Sequence, residues 1–549
     1  MGHVRLSEDP RISVLVLEAG ASNTGVLDSE VPLLAARLWG TQYDWNYTTV
    51  PQPGLNGRQI PYARGKLLGG SSSINLMVYT RGSDDDWNKY AELTQDEGWN
   101  WNNVQTYFLR NEGFMAPRPT KYDPRYNPRV HSYSGRVSVS LPEFLWPQVT
   151  HVQETLNYLP VEYPFKLDYN DGNPLGVGWV QATIDNGERS SSATAYLPKE
   201  VLLRRNLHIV LRAQVTKIQS RSSDNPPRFD AVEFASNDID TRHISIASKE
   251  VILAAGTFNT PQLLLLSGVG DPVTLSNLNI TPVIDLPDVG QHVSDQPLVA
   301  LPWTVNTNLT FAKFLDNQTN FDAALAEWNA SRTGPFAFSG STQVAWLRVA
   351  DRDPIFANAP DPSSGPHSAH YEFLFSSGFT ANPPGPGNFF TINTALISPT
   401  SRGTITINSS DPFHPPVIDP GLLASEFDAQ IMLRAIKSAR RFVEATPAWD
   451  GYIISEFGAF KNASNDVEII AYARANARTI WHAVGSCRMT ARDAVSGCVD
   501  PDLKVKGAQG LRIIDGSVLP FIPSAHTQVP IYIIAERGSD LIKNEWGLS

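Results

Sequence analysis

The chain has 549 residues, 42% hydrophobic and 18% charged, with a formal net charge of −11. That composition suits a globular protein with large cores in two or more domains, and it lacks the clustered Lys and Arg that nucleic acid binding requires. No run of roughly 18 apolar residues is present to form a membrane helix, and residues 1–10 lack the apolar core of an export signal, so a small molecule is the expected partner.

The first predicted element is ISVLVLEAG. Its apolar residues read as a strand buried on both faces of a parallel sheet. Glu18 at its end stands where a dinucleotide-binding unit offers a carboxylate to a ribose, and G-x-G-x-x-G normally lies about twenty residues upstream of that acid. Only 17 residues precede Glu18, and none of them forms the pattern.

Next comes GKLLGGSSSINLMVYTRGSDDDWN (65–88), where Gly69 and Gly70 let backbone approach a ligand and the serines offer hydroxyls and amides. KEVILAAG is a second buried strand leading into GTFNTPQLLLLSGVG (256–270), with Pro261 expected in a first helical turn and Gly268 at the helix end. Between 300 and 470 the texture changes: RGTITINSS and AHYEFLFSS alternate as strands of an antiparallel sheet with one covered face. Met432, Ile436, Ala439 and Val443 recur at the spacing of an amphipathic helix. The loops NAPDPSSGPHS and SSGFTANPPGPGNFF carry the Pro/Gly/Ser punctuation of a binding-site rim, which makes Phe389 and Phe390 candidate substrate contacts.

WHAVGSCRM (481–489) and LRIIDGSVLPFIPSAHTQVPIYIIAERGSDLI (511–542) carry His482 and His526. An imidazole titrating near neutrality suits removal of a proton from a reacting group. Neither histidine has a second ligand two to four residues away, and neither H-E-x-x-H nor G-x-S-x-G occurs, so no metal site and no serine nucleophile elbow are expected. Cys487 and Cys498 permit at most one disulfide. Sequons at Asn46, Asn279, Asn308, Asn317, Asn329, Asn408 and Asn462 fit a secreted surface. The strands at 12–18, 249–255 and 511–515 are expected to share one sheet, discontinuous in sequence, around an inserted domain.

In its four stretches at 65–88, 256–270, 481–489 and 511–542 the chain resembles the glucose-methanol-choline (GMC) flavoprotein oxidoreductases, over nearly its whole length. YDWNYTTVPQPGLNGR, QDEGWNWNNV and LPFIPSAHTQVPIY are most similar to the fungal aryl-alcohol oxidases. The resemblance implies an α/β plus α+β fold. A discontinuous Rossmann-like FAD-binding domain takes residues 1–90, 185–296 and 476–549, and an inserted antiparallel-sheet substrate domain takes 91–184 and 297–475. It also implies FAD, with Glu18 on the ribose and the isoalloxazine cradled by Gly69, Gly70, Ser71, Ser72, Asn75, Leu76, Met77 and Val78. Further implied contacts are Val215, Ala255, Asp515, Gly516, Thr527, Gln528 and Val529. Pro530 opens a helix whose amino end directs partial positive charge at the flavin. Residues 69–78 contain no histidine, so attachment is expected to be non-covalent.

By the same resemblance His482 is the catalytic base, His526 its partner on the substrate oxygen, and Trp481 both a cofactor contact and a surface for an aromatic substrate. Asn75 and Leu76 stand where aryl-alcohol oxidases carry a histidine and an aromatic. The implied reaction is oxidation of a primary aryl or allylic alcohol to the aldehyde, by hydride transfer to flavin N5, with electrons passing to O2 (giving H2O2) or to a quinone. Two alternatives stay open: a sugar oxidase or dehydrogenase of the same family, and a non-catalytic remnant that binds no FAD. HVRLSEDP resembles the last turn of a helix that a first strand and glycine-rich loop would precede. The chain is therefore expected to be a shortened form of a longer, exported enzyme.

Overall fold

The computed structural model describes residues 2–116, 123–221, 224–236, 241–357, 359–379 and 385–548. Helix α1 (Gly2–Leu6) leads into strand β1 (Val14–Glu18), and helix α2 (Asp84–Thr94) follows the glycine-serine turn. Strands β2 (Gly176–Trp179), β3 (Leu207–Leu211) and β4 (Gln214–Ser220) precede β5 (Val251–Leu253), which runs into helix α3 (Gly256–Leu266). Then come β6 (Pro297–Val305), β7 (Ser341–Leu347), β8 (Tyr371–Ser376), β9 (Phe389–Leu396) and helix α4 (Glu426–Glu444). Strands β10 (Ile453–Glu456), β11 (Arg478–Thr479) and β12 (Leu511–Ile513) lead to helix α5 (Gln528–Trp546).

The predicted strands form, but they do not share one sheet. Strand β5 pairs with β12 in parallel, whereas β1 pairs in parallel with β3, from Val14 opposite Leu207 to Glu18 opposite Leu211. Among the described residues no strand bridges the two pairs. The partner missed in sequence is LHIVL, four of whose five residues stay exposed or partly exposed.

Helix α3 also departs from expectation, because it starts at Gly256 and Pro261 lies inside it. Proline has no N–H to donate to the Thr257 carbonyl one turn back. That carbonyl accepts instead from the Ser486 hydroxyl at 2.6 Å. The Asp515 carboxylate fastens the first turn, accepting from Gly256 N at 2.9 Å and Thr260 Oγ1 at 2.6 Å. Gly268, with φ +84, stands just past the helix end as expected.

The second architecture is a seven-stranded sheet in the order β10-β6-β9-β8-β7-β2, with β11 also pairing β6. All its pairings are antiparallel. Because side chains alternate along a strand, the sheet has two faces. Ala345, Phe373, Phe375, Phe390 and Ile392 pack on Met432, Ile436 and Phe442 of α4, whose start Ser425 caps by accepting from Phe427 N. Each of the Phe, Ile and Met side chains among them stabilises the fold by about 1.5–3 kcal/mol. On the other face Val344, Trp346, Leu374, Ala395 and Leu298 cluster with Met77 and Ile480. That face looks onto the glycine-serine turn and the segment carrying His482. Residues 358 and 380–384 of the two predicted rim loops lie outside the described residues. Both cysteines are free and buried.

Candidate active site

His482 and His526, 44 residues apart in sequence, meet in space: their ring centroids are 4.7 Å apart with planes at 75°. Each ring is held at one nitrogen. His482 Nδ1 lies 2.7 Å from Gln296 Oε1, and His526 Nε2 lies 2.9 Å from Glu372 Oε1. The backbones are held too, since His482 N donates to Asp295 Oδ1 at 3.1 Å and His526 N donates to Thr80 Oγ1 at 2.7 Å. Trp346, buried on the inner sheet face, places its ring 6.0 Å from that of His526. Burial first, then the neighbouring His526 and Arg64, hold His482 well below the usual histidine range, so its ring is neutral near pH 7 and free to accept a proton.

The turn at 69–78 lies beside this pair. Gly69 (φ +92) and Gly70 (φ +55) adopt left-handed backbone, and a side chain on Gly70 would enter open space. Ser72 Oγ donates to Gly69 O at 2.6 Å, and Ser71, which is exposed, accepts at Oγ from Gly65 N at 3.2 Å. What the turn offers a ligand is therefore backbone together with the exposed Ser71 hydroxyl. Asn75 Oδ1 accepts from Met77 N at 3.1 Å, and Asn75 Nδ2 donates to Gln528 Oε1. Leu76 is partly exposed, Val78 forms a bridge with Ala182, and Met77 packs into the sheet cluster.

The remaining implied contacts scatter around the same frame. Ala255 caps α3, Gly516 follows Asp515 in a 3-10 turn, and Thr527 caps α5. Val529 is fully buried with its side chain in the core, and Val215 lies partly buried on β4. Trp481 (φ +63) rests on Trp39, with ring centroids 4.5 Å apart.

Phe389 and Phe390 do not join the site, contrary to expectation. Phe390 belongs to the opposite face of the sheet, against Trp303, Phe375 and Trp449. Phe389 lies six residues along β9 from Ala395, the residue paired with Glu372, which is roughly 20 Å at the usual strand rise. Sequence reading in turn missed Gln296, Glu372, Trp346 and Arg189. An acid inside the apolar run AHYEFLFSS was the one visible signal.

A parallel strand ending in a partly buried acid, paired imidazoles beside a glycine turn and an antiparallel sheet above match the class that the resemblance implies, a two-part flavoprotein oxidoreductase. The GMC oxidoreductase profile matches residues 13–298 and 399–535. The chain belongs to the GMC oxidoreductase family, whose members are FAD-dependent enzymes acting on alcohol or sugar substrates. It is 39% identical to dehydrogenase eriK of Hericium erinaceus over 98% of this chain and 91% of that one. It is 38% identical to pyranose dehydrogenase 3 of Leucoagaricus meleagris over 99% and 90%. A formate oxidase crystal structure superposes with TM-score 0.90 at 26% identity, covering 99% of this chain and 96% of that one. A fungal aryl-alcohol oxidase structure shares the fold, with TM-score 0.84 at 23% identity over 100% and 97%.

The residues present fit the flavin and ribose ends of FAD. Glu18, at the tip of β1, accepts from Gly20 N at 2.7 Å, and burial pushes its carboxyl up to about 7 against the pull of that N–H and of Lys66. Such an acid suits a ribose hydroxyl. Arg189 is buried beside the turn, donating to Ser29 O at 2.7 Å, Ser72 O at 3.1 Å and Asn75 Oδ1 at 2.7 Å. Its Nη2 has no partner, and among the described residues no carboxylate pairs with it. A lone buried cation at this place suits an electron-rich ring edge.

Proposed function

We propose that this chain oxidises a hydroxyl of a polyhydroxylated, sugar-type substrate, with His482 as base and His526 holding the substrate oxygen. One observation carries the choice of substrate. Beside His526, the Trp346 indole N–H and Glu372 Oε2 are buried without hydrogen-bond partners on one face of adjacent strands. A donor and an acceptor left unpaired in a dry site cost free energy until a ligand with matching hydroxyls arrives. A sugar ring brings several; an aryl alcohol brings one. The likeness to pyranose dehydrogenases supports the same reading. FAD, when bound, supplies the acceptor for the hydride that leaves the carbinol carbon. His482 takes the hydroxyl proton, and His526, tied to Glu372, fixes the oxygen. The absence of histidine from 69–78 supports non-covalent FAD. O2 or a quinone would be the final electron acceptor.

A second reading, a primary aryl or allylic alcohol, is favoured by Trp481 on Trp39, a surface for ring stacking. Flavin reduction by aldopyranoses and by aryl alcohols, followed at the flavin absorbance in FAD-loaded protein, separates the two. Faster reduction by aldopyranoses is expected. Faster reduction by aryl alcohols transfers the assignment, and a preparation that retains no flavin favours the non-catalytic remnant. Flavin released on acid precipitation of the same preparation checks the non-covalent reading.

A further inference from the structure

Gln296 is fully buried, immediately ahead of β6. Its side chain meets three groups. Nε2 donates to the Ile397 carbonyl at 3.0 Å and to the Pro523 carbonyl at 3.3 Å, and Oε1 sits 2.7 Å from His482 Nδ1. A primary amide has two N–H donors and one acceptor oxygen. Both donors here are committed to carbonyls, which can only accept. Flipping the amide would set its oxygen against both carbonyls and its NH2 against the ring, breaking two buried hydrogen bonds. The oxygen is therefore held toward His482, and Nδ1 must be the donor. In a neutral imidazole the other nitrogen then carries the lone pair.

We propose that Gln296 is a positioning residue that holds His482 in the Nδ1–H tautomer, so that Nε2 is the atom left to take the substrate proton. The proposal rests on the reading of His482 as base and adds what makes one of its nitrogens competent. The same amide ties the two imidazoles to one frame. Ile397 follows β9 of the sheet, and Pro523 lies three residues before His526. On the backbone side, Gln296 O accepts from Ile480 N at 3.1 Å, two residues before His482. One buried side chain thus joins the sheet, the His526 segment and the His482 ring.

The charged and titratable groups around His482 are His526, Arg64, Asp295 and Tyr62. Asp295 is engaged by the His482 backbone N–H and by the Tyr62 hydroxyl at 2.8 Å. Gln296 therefore faces Nδ1 as a neutral acceptor. A neutral partner selects the tautomer without drawing a second proton onto the ring, whereas a carboxylate in its place would favour the doubly protonated form.

The test is the ring 15N spectrum of the full chain labelled at histidine, with the His482 signals identified by their loss in His482→Gln. A protonated Nδ1 and an unprotonated Nε2 at neutral pH are expected, and the opposite pattern overturns the proposal. In Gln296→Met the Nε2–H form should appear; an unchanged pattern in a natively folded variant, judged by circular dichroism, also overturns it. In Gln296→Glu the acid limb of flavin reduction should move up by about 1–3 pH units. Should wild type show Nδ1–H while His482→Gln leaves flavin reduction undiminished, the assignment of the base fails and the tautomer stands.

Discussion

At the scale of single residues, the two imidazoles differ: burial keeps His482 neutral, and His526 is tied to the acid Glu372. Burial, together with His526 and Arg64, lowers the proton affinity of His482 below the usual value near 6.5. A base must be unprotonated to act. Flavin reduction should therefore hold steady as pH falls through 6.5 and decline only well below it. His482→Ala should slow reduction by about a hundred- to ten-thousandfold, which single-turnover absorbance measures. That these two histidines meet was legible in sequence through the short motifs that carry them. Their partners were not. Gln296 is 186 residues from His482 and Glu372 is 154 from His526, and no local pattern encodes which distant side chain will face a ring. Arg189 hid for a similar reason, since an arginine between Glu188 and Ser190 reads as a surface residue until its burial is known.

At the scale of elements, glycine and proline set the frame around the ligand space. The strands VIL and LRI were legible as apolar runs and α4 as a helical stripe because burial imposes those periods, whereas VLVLE forms its strand but is only partly buried, with Leu15 exposed. The start of α3 was not legible, because Pro261 is accommodated by a hydroxyl from far along the chain. Ser486→Ala removes the donor to the Thr257 carbonyl and leaves that carbonyl unsatisfied in the interior. A loss of about 1–3 kcal/mol in unfolding free energy is expected, measured by denaturant titration. The phenylalanines at 389 and 390 were misplaced by the same limit. Loop punctuation shows that a rim is near but not which strand position faces it.

Across the whole molecule, a buried ionic network braces the segment just after the glycine turn against the 112–168 region. Arg81 donates to Glu112 at 2.7 Å, and His131 bridges Glu112 at 2.9 Å and Asp168 at 2.7 Å, all almost fully buried. Burial opposes a charged His131, yet its hydrogen bonds to Asp168 and Glu112 outweigh that and raise its proton affinity. A histidine raised in the folded state stabilises fully below its unfolded value near 6.5, and that contribution is lost as pH rises through the folded value. His131→Asn should therefore lower the melting temperature more at about pH 5.5 than at about pH 8.5. Scanning calorimetry at the two pH values checks the sign, and an equal drop at both would discard the charged network.

The alternating sheet separates two jobs by a single residue step. Positions 345, 373 and 375 belong to the packing with α4, while 344, 346 and 374 belong to the cluster that looks onto the turn, and 372 reaches His526. Exchanges at Val344, Trp346 and Leu374 therefore repack the cluster facing the turn, while the packing of the other face on α4 is left as it is. A directed library confined to one parity of β7 and β8 thus rebuilds one interior of the sheet and spares the other.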